Sequence, residues 1–524
     1  MTAGGGLTLL GLLVGAIYAA PFAYLVVRNL ALGGELLASI RSPDALGPLA
    51  NTLRLSIAVA GAAAVVGTGL AWLLVRTDLP LRRLWRALAP LPLVIPSFVA
   101  AAALLAAFAP GGLADRLLAA LGLRGGLPHV DGFWGAFAVL TLLTYPYVYF
   151  PVVGRLMALN PSLEEGARLL GSRSGEVFRR VVLPQAADAI WAGSLLVFLY
   201  VVSDFGAVQL LRFDTLTRAI YSARLLDRPT SLALSLILAV VALIVVAAER
   251  MVTRRMPTVE VASPRPPVQV RLGGWVTPAL LAVVLITGMA LLAPVLVLGH
   301  WAWRGRGGAA LLAQLGELAG PAANTLVVSV LTAVLAVVLV LPVAYLAGRA
   351  AGRMGRIGAL AGAMVVAGFA IPGLVIALAI VFWALRAPVA VYQTLPLLVL
   401  AYLVHFGAHA MEASRVAVAG LPGRMSDAAR TLGATRARRL LRVELPLMVP
   451  GLLAGGGLVL LSVMKELPAT LLLAPIGFQT LATKVWGAAT EGFLAETGVA
   501  SLVLVALSGV VTWWLVVRRA RLLP

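Results

Sequence analysis

Apolar and polar positions alternate along this chain in long blocks. A helix that crosses a bilayer needs about 20 mostly apolar residues. Twelve stretches meet that length: 7–27, 51–75, 87–109, 134–154, 188–211 and 229–248, then 275–299, 323–347, 358–384, 395–413, 450–474 and 498–517. The pattern predicts an all-α integral membrane protein of about 12 transmembrane helices. Some marks recur between the halves. Asn51-Thr52-Leu53 opens the second span and Asn324-Thr325-Leu326 the eighth; Ile95-Pro96 interrupts the third and Ile371-Pro372 the ninth. Two tandem six-helix repeats follow, residues 1–255 and 275–524, joined by a Pro-rich linker over 256–274 that carries Pro257, Pro264, Pro266 and Pro267. An even number of spans gives both repeats one orientation. They are expected to pack as a parallel pseudo-dimer about an axis along the membrane normal.

Composition agrees with this reading, and charge orients it. Apolar residues make up 61% of the chain and charged residues 12%, against about 45–50% apolar in soluble domains. The net charge of +20 would suggest nucleic acid in a soluble protein, but here its distribution matters more than its sum. With a cytoplasmic N-terminus, 27 of the 41 Lys and Arg fall in inside segments. That excess predicts both termini in the cytoplasm, and the Pro-rich linker with them. The absence of cysteine excludes disulfide and thiol chemistry. The first apolar run has no basic residue before it and exceeds a signal-peptide core, so it is expected to be a retained span.

One polar stretch also occurs twice, 262 residues apart, on the side predicted to be cytoplasmic. The first copy runs Glu165-Gly166-Ala167, three residues, Gly171, nine residues, Val181, one residue, Leu183-Pro184. The second runs Asp427-Ala428-Ala429, three residues, Gly433, nine residues, Val443, one residue, Leu445-Pro446. Small residues on a short helix let another surface approach closely. Gly171 and Gly433 are expected to end that helix and allow a turn into a second. Each Leu-Pro then ends the second helix or opens the next element. Ser162 and Glu165 have capping-box spacing, which predicts the start of the first copy's helix.

Ionisable groups at membrane depth cost about 2.5–3.5 kcal/mol each on insertion scales, so each needs a reason. Lys465-Glu466-Leu467-Pro468 in the eleventh span answers Ser203-Asp204-Phe205-Gly206 in the fifth. Each acid precedes a helix-weakening residue, Gly206 or Pro468, by two positions. Backbone groups freed there must face protein or a pathway. The sequence allows two readings: a gate or transient site for a cationic or metal-bearing substrate, or a structural ion pair of Lys465 with Glu466 or Asp204. In the tenth span His405, His409 and Glu412 share a helix face. Such a set suits a transition metal, yet the first half has no matching cluster, which favours two histidines held between helices.

The duplicated stretch resembles the E-A-A-x3-G-x9-I-x-L-P signature of permease subunits in bacterial ATP-driven (ABC-type) importers. Gly166 replaces an alanine, Asp427 a glutamate, and valine stands for isoleucine in both copies. The resemblance implies that each copy is a coupling helix seated on an ATPase subunit. It implies a fused permease in the bacterial inner membrane, two ATPase copies beneath it and a periplasmic or lipid-tethered solute-binding protein outside. It further implies alternating access driven by ATP and Mg held on the partner ATPase, with no cofactor and no catalytic residue on this chain. The chain has no G-x-x-x-x-G-K-[S/T] loop of its own. The segments 203–207, 465–470 and Thr480-Leu481-Ala482-Thr483 resemble ferric-iron permeases, which makes ferric iron the expected cargo. Thiamine and phosphonate permeases share the architecture. An ion-coupled secondary transporter with Asp204 and Glu466 as proton relays is the competing class.

Overall fold

The computed structural model describes residues 3–122, 130–225, 227–255, 269–304, 315–350, 352–386, 388 and 391–520. Residues 256–268 of the expected linker lie outside them. Among the described residues twelve helices are long and apolar enough to cross a membrane. Each holds a long, mostly apolar stretch, as a helix buried in lipid and against its neighbours must. The first half contains Gly5–Leu30, Pro43–Arg76, Ser97–Ala120, Gly132–Ala158, Gly175–Ser203 and Arg228–Val252. The second contains Gly273–Arg304, Leu315–Arg349, Gly352–Ala370, Leu395–Ala419, Ala437–Met464 and Leu494–Trp513.

Within each half the second, fourth and fifth spans pack on one another. The first spans are exchanged. The first span lies against the ninth in the other half, and the seventh lies against the helix Ser97–Phe108 of the third. This reciprocal crossing is what a pseudo-twofold pairing of two like repeats produces. Both interruptions of the third and ninth spans are real: Ser97–Phe108 starts after Pro96, and Gly373–Ala384 starts after Pro372. A proline has no N–H to offer the preceding turn, so the helix restarts there.

The duplicated Asn-Thr pairs have one shared task. Asn51 donates to the Asp214 carbonyl at 3.0 Å, and the Thr52 hydroxyl accepts from the Leu216 N–H at 2.9 Å. In the other half Asn324 donates to the Gln479 carbonyl at 2.9 Å, and Thr325 accepts from the Leu481 N–H at 2.9 Å. Each pair fastens the irregular chain after the fifth or eleventh span to the start of the second or eighth. Irregular backbone at membrane depth survives only where such partners satisfy it. Thr325→Val would leave the buried Leu481 N–H without its acceptor, a cost of about 1–3 kcal/mol. A lower melting temperature of the detergent-purified protein is the expected result, with Thr52→Val behaving alike; unchanged melting in both would contradict the assignment.

Candidate functional site

The duplicated stretches fold alike, and their spacing has a physical cause. The first forms the helix Pro161–Leu169, the second Gly423–Thr431. Gly171 then takes φ 87° and Gly433 φ 75°, the left-handed region that favours glycine. The Ser172 N–H reaches back to the Ala167 carbonyl at 3.1 Å and the Gly171 N–H to Arg168 at 2.9 Å. Ala434 reaches Ala429 at 3.0 Å and Gly433 reaches Arg430 at 3.1 Å. Both are Schellman stops. The glycine four residues after the last alanine is therefore the geometry of the stop itself.

The second helix of each loop runs on into the fifth or eleventh span. It passes through one π-helical turn, Phe178–Val182 or Leu440–Glu444, directly before Leu183-Pro184 or Leu445-Pro446. The wider turn makes room for a proline that lacks an N–H and would clash with the carbonyl four residues back. Leu-Pro thus opens the next element. One expectation is corrected: the first helix is capped by Asn160, whose side chain accepts from the Ser162 N–H, and not by a Ser162–Glu165 box. Pro161 in the first turn, with its fixed φ, sets the start one residue before Ser162.

The loops are anchored by acids that the signature does not mark. Glu165 and Asp427 are exposed, as are Gly433 and Ala428. Glu164, by contrast, is buried and bonded to the buried Arg76 guanidinium at the end of the second span. In the second half Ser426 occupies the place of Glu164 and donates to Glu444 at 2.9 Å. Glu444 also accepts from Arg439 and from the Tyr345 hydroxyl, both at 3.1 Å. The acid has moved from the short helix to the π-turn, but it ties the same parts together. The loop tips point outward with apolar residues: Leu170 is 88% exposed and Leu432, its counterpart, 87%. Nothing among the described residues covers them.

A second pair of features lies where the fifth and eleventh spans stop, at Ser203 and Met464. Asp204 Oδ1 accepts from the Ala207 N–H at 3.0 Å and caps the short helix Gly206–Leu210. Glu466 Oε1 accepts from the Ala469 N–H at 3.1 Å and caps Pro468–Leu473. Gly206 is demanded by close approach, since a Cβ there would lie 2.7 Å from the Phe98 side chain. Pro468 stands in the first turn of its helix, where its missing N–H costs nothing. Thr217 donates to the Asp204 carbonyl at 2.7 Å, and Thr470 to the Glu466 carbonyl at 2.8 Å. Both carboxylates therefore hold helix starts.

Lys465 pairs with neither acid within 4.0 Å; among the described residues the ion pair with Glu466 or Asp204 is absent. Its ammonium crosses to the other half and donates to the Leu93 carbonyl at 2.9 Å, just before the Pro96 break. Ser203 holds the equivalent place in the first half, so this bond has no twin. Phe205 and Trp486 also meet across the halves, with ring centroids 5.4 Å apart, and Tyr221 lies tilted against Phe205 at 4.8 Å. His405 and His409 are packed against Phe369. Glu412 turns away to Arg415 at 2.9 Å. Among the described residues no group of three His, Cys, Asp or Glu is placed to hold a metal.

Two tandem bundles, each with a Schellman-stopped loop and a π-turn before Leu-Pro, match a known family. Residues 63–257 and 340–521 match the binding-protein-dependent transport system inner membrane component. The chain belongs to this family. It is a fused, two-repeat permease of an ABC-type importer and a multi-pass inner-membrane protein, a transport subunit rather than an enzyme. That membership sets aside the ion-coupled class. The permease is 28% identical to the Fe(3+)-transport system permease protein FbpB 2 of Haemophilus influenzae over 519 residues, 96% of each chain. It is 35% identical to the molybdenum transport system permease protein ModB of Mycobacterium tuberculosis over 208 residues, 37% of this chain and 76% of that one. It is 36% identical to the sulfate transport system permease protein CysT of Salmonella typhimurium over 145 residues, 28% of this chain and 50% of that one.

Proposed function

We propose that this permease carries ferric iron into the cytoplasm by alternating access, powered by two copies of a separate ATPase. The single observation that supports iron is the similarity to a ferric-iron permease, which runs through both repeats and covers 96% of each chain. Both termini and both duplicated loops lie in the cytoplasm. Each loop inserts its exposed leucine, Leu170 or Leu432, into one ATPase subunit, which holds the ATP and Mg. A solute-binding protein delivers the cargo on the opposite face. When ATP brings the ATPase subunits together, the loops converge and the halves rock. The contacts that join the halves, Lys465 to Leu93 and Phe205 to Trp486, part, and cargo passes the carboxylates of Asp204 and Glu466. A second reading is an oxyanion such as molybdate or sulfate. The ammonium of Lys465 between the halves and the partial matches to the molybdenum and sulfate permeases favour it.

The test is uptake into proteoliposomes that hold the permease, its ATPase and its binding protein, with ferric iron, molybdate, sulfate, thiamine and a phosphonate offered in turn. Iron alone taken up is the expected result. Uptake of an oxyanion but not iron would overturn the cargo and leave the permease standing. Lys465→Met sharpens the gate assignment. A charge-assisted hydrogen bond contributes about 1.5–3 kcal/mol, so its loss should raise cargo-free ATP hydrolysis about tenfold or more in the intact complex. Basal hydrolysis equal to the parent's would remove Lys465 from the gate.

A further inference from the structure

The two duplicated loops are alike in sequence, yet among the described residues only the first has a backbone bridge beside its base. The described end of the linker, from Gln269 on, lies along the end of the second span. The Val270 N–H donates to the Arg76 carbonyl at 2.8 Å, and Val270 forms a parallel bridge with Thr77. The Leu272 N–H donates to the Asp78 carboxylate at 2.9 Å. The Gln269 side-chain oxygen, turned to satisfy both partners, accepts from the Arg82 guanidinium. Val270 lines a small cavity with Trp72, Phe178 and Val182, and the Arg76–Glu164 pair lines the same cavity. Val182 and Phe178 belong to the π-turn of the first loop, and Glu164 to its short helix.

The second half has the same span end, but among the described residues no backbone bridge lies beside it. Arg349 stands where Arg76 does and donates to the Leu421 carbonyl at 2.8 Å. Among the described residues the Thr77–Val270 bridge is the only isolated bridge, and the second loop relies on Glu444 instead. Excluding water from a buried ion pair strengthens it. Val270 adds apolar surface beside Arg76 and Glu164, while the backbone bonds next to it fix the strand in register.

We propose that residues 269–272 form a permanent strap that positions the first loop for the ATPase, so that the two docking sites are mechanically unequal. The strap makes the first loop move as one body with the second span, while the second loop is joined to the eighth span by side-chain bonds from Tyr345 and Arg349. Val270 acts through the loop and does not touch cargo or nucleotide. The inference rests on the reading of the duplicated loops as ATPase docking sites.

The test uses the full permease with its ATPase and binding protein in nanodiscs and reads the ratio of cargo-stimulated to basal ATP hydrolysis at equal ATPase content. Val270→Asp puts a charge into the apolar lid, and Leu272→Pro removes the N–H that Asp78 holds at a half-buried site. Each should lower the ratio at least about fivefold, within the usual span of coupling between sites, while Val270→Ile keeps it. Leu272→Pro carries the test should Val270→Asp fail to reach the membrane. Because the chain has no cysteine, Thr77→Cys with Val270→Cys gives one defined disulfide across bridge-paired residues, whose spacing suits it. A permanent strap predicts that the oxidised pair retains the parent ratio. A parent-like ratio in both Val270→Asp and Leu272→Pro overturns the strap alone, as does an oxidised pair that is inactive until reduced. A parent complex whose hydrolysis cargo does not stimulate overturns the docking reading and the strap with it.

Discussion

Glu164→Ala is expected to abolish transport while the twelve spans remain in the membrane. Arg76 is 1% exposed and Glu164 4%. Removing one partner from a buried pair costs about 3–5 kcal/mol, because the remaining charge is left in a low-dielectric site. An exposed pair on the same loop, Arg180 with Glu176 at 2.8 Å, is worth at most about 1 kcal/mol and sets the scale for a harmless loss. The damage from Glu164→Ala falls on the joint between the second span and the first loop, so ATPase docking should fail before the bundle unfolds. The measurement is co-purification of the ATPase with the permease, beside the melting temperature of the permease alone. Arg76→Met combined with Glu164→Leu removes both charges and should recover part of the binding. Glu165→Ala, at the exposed acid of the signature, should leave melting unchanged. Glu164→Ala with parent-like ATPase binding and uptake would contradict this account of the joint.

The paired variant Gly171→Val and Gly433→Val should also stop uptake, by a different route. Both glycines sit at positive φ with open space where a Cβ would go. The obstacle is therefore backbone strain and not a clash with a neighbour. Left-handed conformation costs an ordinary L-residue about 1–2 kcal/mol, and a β-branched side chain is the worst case. The chain will relieve that strain by abandoning the Schellman stop, which turns Leu170 and Leu432 away from their present directions. Asparagine tolerates the left-handed region, so Gly171→Asn with Gly433→Asn should keep most uptake. Equal uptake by the valine and asparagine pairs would show that the stop is not needed.

Much of the architecture was legible in the sequence because its causes are local. Apolar length marks the spans, proline marks the breaks at Pro96 and Pro372, and the alanine-to-glycine spacing is a helix stop that needs no distant partner. What escaped depends on residues far apart. Glu164 and Glu165 are neighbours in sequence, and only Arg76, 88 residues away, distinguishes the one that is buried. Lys465 suggests a carboxylate partner by charge, but it bonds to a backbone carbonyl, which has no side-chain signature. Asp204 and Glu466 look like pathway acids, yet each also accepts from an N–H of the helix that begins two residues later, a role the sequence reading did not include. The helix start at Pro161 overrode the Ser162–Glu165 spacing because a proline in the first turn fixes φ more firmly than a capping box does. The Asn-Thr pairs were visible as repeat marks; their partners at Asp214, Leu216, Gln479 and Leu481 were not.

The central claim is that this permease moves its cargo only when an ATPase drives the two duplicated loops. The most direct test is cargo uptake into proteoliposomes with the binding protein present, measured with ATPase and ATP, and again without ATPase under an imposed proton or sodium gradient. The account predicts uptake in the first case, none in the second, and loss of the first with the paired glycine-to-valine variant. Uptake that persists without the ATPase, or that ignores the valine pair, would contradict it.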